Sequence, residues 1–146
     1  MHTVYLDNAA TSFPKPPPVG ARMREYVDEV GATVNRSSYH AAQQAGMMTL
    51  RLRQRLGTLF GFADSTHVIL TPGNTWGLNM LLLGALRQGD HVLVSAMEHN
   101  AVMRPLTQMA RRGVRFDRIP CDGQGRLRLD QMEAMIRPST RLVLLA

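Results

Sequence analysis

The pattern of apolar and polar positions in the first half of the chain predicts two helices separated by loops. "TVYL" is a short extended piece, and the prolines of "NAATSFPKPPP" prevent a helix before about Pro18. "VGARMREYVDEV" has its apolar residues on one helical face, and Gly31 is expected to end that helix. "AAQQAGMMTLRLRQRLGTLFG" predicts a second helix, in which we interpret the methionines as core residues.

After Asp64 the pattern changes to short runs rich in β-branched residues. "HVIL", "HVLV" and "VRFDRI" predict strands, and the first two are each followed by a turn and a segment of helix length. This order predicts a βαβαβ unit with parallel strands, right-handed crossovers and helices against the sheet. "PCDGQGRLRLDQMEAMI" predicts a turn and another helix, and "TRLVLLA" a further buried strand. Because such a strand normally feeds a next crossover, we expect the chain to be the N-terminal part of a larger protein.

Composition narrows the class of protein. No basic segment leads into an apolar signal region, and no apolar run approaches the roughly 20 residues that span a bilayer, so we expect a cytoplasmic protein without membrane contact. The single cysteine, Cys121, excludes an intramolecular disulfide, and we expect neither a zinc cluster nor any other metal site.

A formal net charge of +6 raises the question of nucleic-acid binding. The basic residues are scattered, and only Phe116 is available for stacking in their densest cluster, which consists of Arg111, Arg112, Arg115 and Arg118. A solvated helix end explains that cluster equally well. We therefore expect no nucleic-acid partner.

Polar residues follow two of the predicted strands at the point where a helix begins, in "TPGNTWGLN" and "AMEHN". Ligands of open α/β sheets bind beyond the carboxyl ends of strands, where helix N-termini present free amides. Asn74 and Thr75 could hold a phosphate there or serve as a plain N-cap. His99 could face a cofactor and transfer protons, or be a solvated or capping residue. The local pattern leaves both alternatives open.

Four motifs together resemble one family. "YLDNAATSFPKP" (5–16), "NRSSYHAA" (35–42), "TPGNTWGLN" (71–79) and "MEHNAVMRPL" (97–106) occur in the order seen in pyridoxal-phosphate-dependent cysteine desulfurases and selenocysteine lyases of the class-V aminotransferase group. The resemblance covers essentially the whole chain. It implies an α/β protein of the fold-type-I pyridoxal-phosphate transferases, with an N-terminal arm at 1–17 and a partial large domain, a parallel-type sheet flanked by helices, at 18–146.

The resemblance also implies site residues and a cofactor, pyridoxal 5'-phosphate. Asn74 and Thr75 match residues that hold the cofactor phosphate, and His99 matches the histidine that stacks on the pyridine ring and assists proton movements. Asn8, Ala9 and Ala10 match a loop on the substrate side, and Arg36 and His40 match a loop that approaches an active site across a dimer interface.

The implied reaction removes sulfur from L-cysteine, giving alanine and an enzyme persulfide, in a homodimeric parent that can pass sulfur to an acceptor protein. Another class-V activity, such as selenocysteine lyase or aminotransferase, would leave the same motifs. The only lysine, Lys15, matches no Schiff-base motif, and Cys121 does not match the sulfur acceptor. We therefore expect this chain alone to be inactive, and an inactive remnant or partner-binding module is the alternative.

Overall fold

The computed structural model describes residues 4–34 and 36–145, in two compact units, Met1–Leu70 and Thr71–Ala146. In the first unit, α1 (Pro17–Glu25) continues into a π-helical turn (Tyr26–Val30), which ends at Gly31 in the left-handed region with φ +49°. Proline is well tolerated at the start of a helix, and glycine adopts positive φ without a steric penalty. Both predicted ends of this helix are confirmed to within a residue.

The same unit also contains helix α2 (His40–Phe60) and a 3₁₀ turn (Ser65–His67). The helix is confirmed, but the interpretation of its methionines as core residues is wrong, because Met47 is 49% and Met48 44% exposed. Its buried residues are Ala42, Ala45 and Gly57. Helical spacing identifies an apolar stripe but carries no information on which element covers it.

The predicted strand "HVIL" is wrong. His67 ends the 3₁₀ turn, and residues 68–70 join no sheet within the described part of the chain. Ile69 is 67% exposed. β-Branched residues favour a strand only where a neighbouring strand and a packed face are available, so the composition alone misleads here.

The second unit contains α3 (Asn74–Ala85), β1 (His91–Ser95), α4 (Asn100–Ala110), β2 (Arg115–Ile119), α5 (Leu129–Met135) and β3 (Thr140–Leu144). Its three strands form one sheet in the order β2-β1-β3, and both pairings are parallel. The predicted α/β class with a parallel sheet flanked by helices is confirmed.

The core of this unit lies between one face of the sheet and helices α3 and α4. Val92 and Val94 of β1 are fully buried there. The other buried members of the cluster are Leu82, Leu86, Val102, Leu106, Met109 and Val114. Burying each of these side chains contributes about 1.5–3 kcal/mol to the hydrophobic free energy. The core therefore holds α3 and α4 against the sheet.

No helix in residues 4–34 and 36–145 is both long and apolar enough to cross a lipid bilayer.

Candidate functional site

The carboxyl end of β1 turns directly into helix α4. Ser95, buried at the end of the strand, donates a hydrogen bond from Oγ to the Glu98 carboxylate at 2.7 Å. The Ala96 amide donates to the Ile119 carbonyl at 3.0 Å, which extends the pairing of β1 with β2. These two bonds hold the loop that brings His99 to the start of α4.

His99 is the N-cap of α4. Its backbone is extended, with φ −71° and ψ 155°, and its Nδ1 accepts a hydrogen bond from the Ala101 amide at 3.0 Å. The ring is otherwise exposed, and Nε2 hydrogen-bonds to none of the described residues. The capping interpretation of His99 is confirmed, and one ring nitrogen still faces outward.

Helix α3 begins differently, because its N-cap is Gly73 and no side chain caps it. The interpretation of Asn74 and Thr75 as a plain N-cap is therefore wrong. The first backbone bond of the helix runs from the Gly77 amide to the Gly73 carbonyl at 3.2 Å. The amides of Asn74, Thr75 and Trp76 have no acceptor within the helix, and its first turn contains no acidic residue. This end of α3 is electrostatically favourable for an anion.

Thr75 and His99 line the same cleft, which lies between α3 and α4 and has a volume of about 350 Å³. Small-molecule sites usually measure about 300–1,000 Å³. The cleft is also lined by Asn79, Asn100, Ala101, Arg104, Pro105 and Gln108. No carboxylate is among these lining residues, so the cleft combines hydrogen-bonding groups with a cationic side chain.

Four polar lining residues were missed by the sequence reasoning, although a signal was present. Asn100, Arg104 and Gln108 recur every four residues along α4, and Asn79 lies four residues after Thr75 on α3. Such spacing places side chains on one helical face. Asn79 donates from Nδ2 to the Thr75 carbonyl at 2.8 Å. Two polar stripes on consecutive helices could thus have indicated the cleft.

The predicted substrate-side residues lie in the first unit, Met1–Leu70. The Asn8 side-chain oxygen accepts a hydrogen bond from the Phe13 amide at 3.1 Å, and the Ala10 amide donates to the Asp7 carbonyl at 3.1 Å in the turn that contains Ala9. Here Asn8 closes its own loop. The roles assigned to these residues stay predictions.

The same holds for the second predicted loop. Arg36 is exposed, and His40 is the first residue of α2. The motif that suggested these two residues begins at Asn35, which lies outside the described residues.

Lys15 and Cys121, which match no catalytic residue of the family, make local contacts. The Lys15 ammonium donates to the Thr11 hydroxyl and to the Ser12 carbonyl in the N-terminal loop. Cys121 is half-buried and forms an isolated antiparallel bridge with Leu127.

The comparisons with known proteins give one family. The aminotransferase class-V family model matches residues 4–146. A probable cysteine desulfurase of Pseudomonas putida is 33% identical over 146 residues, which cover 97% of this chain and 36% of that relative. The structure of a cysteine desulfurase from Thermococcus onnurineus superposes with a TM-score of 0.85 at 28% identity, covering 97% of this chain and 36% of that one. This chain therefore spans about a third of the length of the relatives it matches.

A third similar protein is the cystine C–S lyase C-DES, solved with its product cysteine persulfide. It superposes with a TM-score of 0.64 at 26% identity and covers 86% of this chain and 32% of its own. A mutant of C-DES has glycine covalently linked to its pyridoxal-phosphate cofactor.

Proposed function

We propose, since this chain belongs to the aminotransferase class-V family, that it forms the part of a pyridoxal-phosphate enzyme that holds the cofactor phosphate and ring. The observation that supports this most directly is the cleft that Thr75 and His99 share. It joins the uncapped start of one helix to an exposed imidazole at the start of the next.

The residues of the cleft fit a flat, phosphorylated ring. The phosphate would lie at the start of α3, where the amides of Asn74 and Thr75 and the Thr75 hydroxyl can donate to an anion. The His99 ring would stack on the pyridine. Arg104 adds positive charge along the same wall. Bound pyridoxal phosphate supplies an electron sink for bond cleavage at an amino acid, whereas the protein supplies position and charge.

For the whole reaction we propose a cysteine desulfurase, acting on L-cysteine and leaving alanine and an enzyme persulfide. Asn8, Ala9, Ala10, Arg36 and His40 are proposed for the substrate side, and a homodimer with a sulfur-acceptor protein for the assembly. A C–S lyase is the second candidate, because the cystine lyase C-DES matches 86% of this chain. Selenocysteine lyases and aminotransferases share the same motifs.

We also propose that this chain alone does not turn over substrate. Its one lysine, Lys15, is bound within the proline-rich N-terminal loop by Thr11 and Ser12. Cys121, its one cysteine, is half-buried and lies beyond the end of β2. Neither residue matches the Schiff-base lysine or the sulfur-accepting cysteine of the family.

The test is to titrate the purified chain with pyridoxal phosphate and follow cofactor fluorescence. Thr75→Val removes the hydroxyl and retains the amide. A hydrogen bond to a charged group contributes about 1.5–3 kcal/mol, so affinity should fall about tenfold or more. Pyridoxal, which lacks the phosphate, should bind more weakly to the wild-type chain and discriminate less between the two proteins.

The matched control is Thr107→Val, because the hydroxyl of this exposed threonine of α4 donates to the Met103 carbonyl of its own helix at 2.8 Å and Thr107 does not line the cleft. Its affinity should equal that of the wild type. A second control, Lys15→Arg, removes any covalent adduct that borohydride could trap on that side chain. The proposal fails if the phosphorylated and unphosphorylated ligands bind equally, or if binding disappears in Lys15→Arg.

A further inference from the structure

Helix α3 has apolar residues on both of its faces, although only one face is packed. Leu78 and Leu82 contact the core of the second unit. On the opposite face Trp76 is 63% and Met80 52% exposed, and Leu83 beside them is also exposed. A surface helix normally has a polar outer face, whereas a helix that is apolar all round is covered on both sides. The outer face of α3 therefore has the composition of an interface.

The outer face of α3 is complementary to itself. Met80 lies midway between Trp76, the largest side chain of the face, and Gly84, which has no side chain. A Cβ built at Gly84 would have no described atom within 4 Å apart from its chain neighbours and its own helix backbone. We propose that this face, formed by Trp76, Met80, Leu83 and Gly84, binds a second copy of the chain, with the two α3 helices antiparallel and the two-fold axis at Met80. In that arrangement Trp76 of each copy packs over the partner's Gly84.

Charge also favours this pairing. Helix α3 has no charged side chain between Asn74 and Ala85, so two copies bring no like charges together. Antiparallel helices place the positive N-terminus of each dipole beside the negative C-terminus of the other. One helix face supplies only part of the about 800 Å² per partner that a stable dimer buries, so we expect association in the micromolar range.

The proposal deepens the proposed function, because it names the contact surface of the proposed homodimer and rests on that function for the dimeric state. The surface borders the cofactor cleft. Thr75 and Asn79 line that cleft, and with Trp76 and Leu83 they also line a second cleft of about 350 Å³. Dimer formation itself needs no cofactor, so it can be measured on the chain alone.

The first experiment is sedimentation of the wild-type chain over a range of concentrations, together with its tryptophan emission. Trp76 is the only tryptophan of the chain, so its emission reports this face alone. We expect dimers to form as the concentration rises and the emission to shift to shorter wavelength in parallel, because the indole leaves water. A chain that stays monomeric would overturn the proposal. So would a short emission wavelength in the monomer, because the face would then be covered by its own chain.

Gly84→Arg tests the face without changing the packing of the chain, because a Cβ at this position meets open space and glycine is unfavourable inside a helix. A two-fold axis brings the substitution into the interface twice, so the dissociation constant of the dimer should rise about 100-fold, or about tenfold for each site. The matched control is Gly20→Arg in α1, where a Cβ also meets open space. It should associate like the wild type. Equal dissociation constants in all three proteins would show that the chain associates through another surface, and the proposal would be wrong.

Cysteine substitutions in a Cys121→Ser background test the antiparallel register. Met80→Cys places two cysteines at the axis, where a disulfide can form. Gly84→Cys places them eight residues apart along the helix pair, which is about 12 Å and too far for a disulfide. We expect mild oxidation to cross-link Met80→Cys and not Gly84→Cys. The antiparallel register is contradicted if Gly84→Cys cross-links as readily.

Titration with pyridoxal phosphate separates this proposal from the proposed function. If the chain dimerises through α3 but binds no cofactor, the proposed function fails and the dimer surface stands. If the chain binds the cofactor but Gly84→Arg leaves its association unchanged, the dimer surface fails and the proposed function stands.

Discussion

Two histidines at opposite ends of strand β1 show how one side chain serves either the fold or a site. His91 begins the strand and is completely buried, whereas His99 follows the strand by one short loop and is exposed. In each ring, Nδ1 forms a hydrogen bond with another group of the protein. The surroundings of Nε2 are what distinguish them.

At His91 both nitrogens have protein partners. Nε2 lies 3.3 Å from the Asp117 carboxylate, which also pairs with Arg137, and Nδ1 lies 2.8 Å from the Thr140 hydroxyl. In the neutral ring the carboxylate partner, which only accepts, places the hydrogen on Nε2, and Nδ1 then accepts from the Thr140 hydroxyl. Thr140 accepts in turn from the Arg137 amide at 2.7 Å. His91 thus links all three strands.

The comparison teaches that the partners of Nε2 decide the role of each histidine. A ring with both nitrogens bonded to protein can only stabilise the fold, whereas a ring with one nitrogen facing a cleft can contact a ligand. The following variants test whether the two roles separate as this comparison requires.

The largest effect is expected for His91→Leu. Leucine fills a similar volume but removes the hydrogen bonds of the ring to Asp117 and Thr140, which retain their contacts with Arg137, so the free energy of unfolding should fall by about 2 kcal/mol. Urea unfolding followed by circular dichroism measures this change. Affinity for pyridoxal phosphate, measured on the remaining folded protein, should not change.

The control for His91 is Asp117→Asn, which keeps an acceptor near Nε2 and changes a side chain that is 38% exposed. It should destabilise less than His91→Leu. Equal losses in the two variants would show that the carboxylate, and not the histidine, holds the strands together.

His99→Ala should lower the free energy of unfolding less than His91→Leu does, and it should lower the affinity for pyridoxal phosphate. Loss of an N-cap costs about 1 kcal/mol of unfolding free energy, and the stacking and donor contacts to the cofactor are lost with it. His99→Asn restores a good cap without the imidazole, so stability should recover while affinity should not. The distinction between the two histidines fails if His99→Asn restores both stability and affinity, because His99 would then only cap its helix.

The smallest effect is expected at the exposed pair of Arg128 and Asp130 at the start of α5. The hydrogen bonds from Arg128, at 3.1–3.2 Å, lower the pKa of Asp130 below its usual value. Because the folded pKa is lowered, the pair stabilises the protein above the usual carboxyl pKa, and this contribution disappears as the pH falls through the lowered value.

In Arg128→Gln the pKa of Asp130 should move back up, which an NMR titration of the carboxyl carbon detects. Unfolding at neutral pH should change less than in any variant above, because exposed pairs contribute little. A loss as large as that of His91→Leu would remove the distinction between buried and exposed polar contacts at this part of the molecule.

How far the sequence predicts each of these features depends on how far apart along the chain the contacting residues lie. The cap at His99 and the stripe on α4 involve residues within eight positions, so helical spacing can indicate them. The contacts of His91 reach 26 residues to Asp117 and 49 to Thr140, and no local pattern contains them. The strand prediction is confirmed for "HVLV" and wrong for "HVIL", although their compositions are nearly the same. Only the partners in space differ.

The candidate site follows the same rule. Thr75 and His99 were each indicated by their position after an apolar run, and the structure places both on one cleft. The sequence does not show which residue is the N-cap of α3, because Gly73, Asn74 and Thr75 are adjacent and each residue type is common there. In the structure the N-cap is Gly73. The substrate-side residues rest on the resemblance alone.

The position of β1 in the centre of the sheet also suggests the order in which the strands assemble during folding. Its partner β2 lies one helix away, whereas β3 is about twice as distant along the chain. Each doubling of a closed loop adds about 0.6 kcal/mol of entropic cost. We therefore expect β1, α4 and β2 to assemble first during folding. The contact between His91 and Thr140 would form last, when β3 pairs with β1 and completes the sheet.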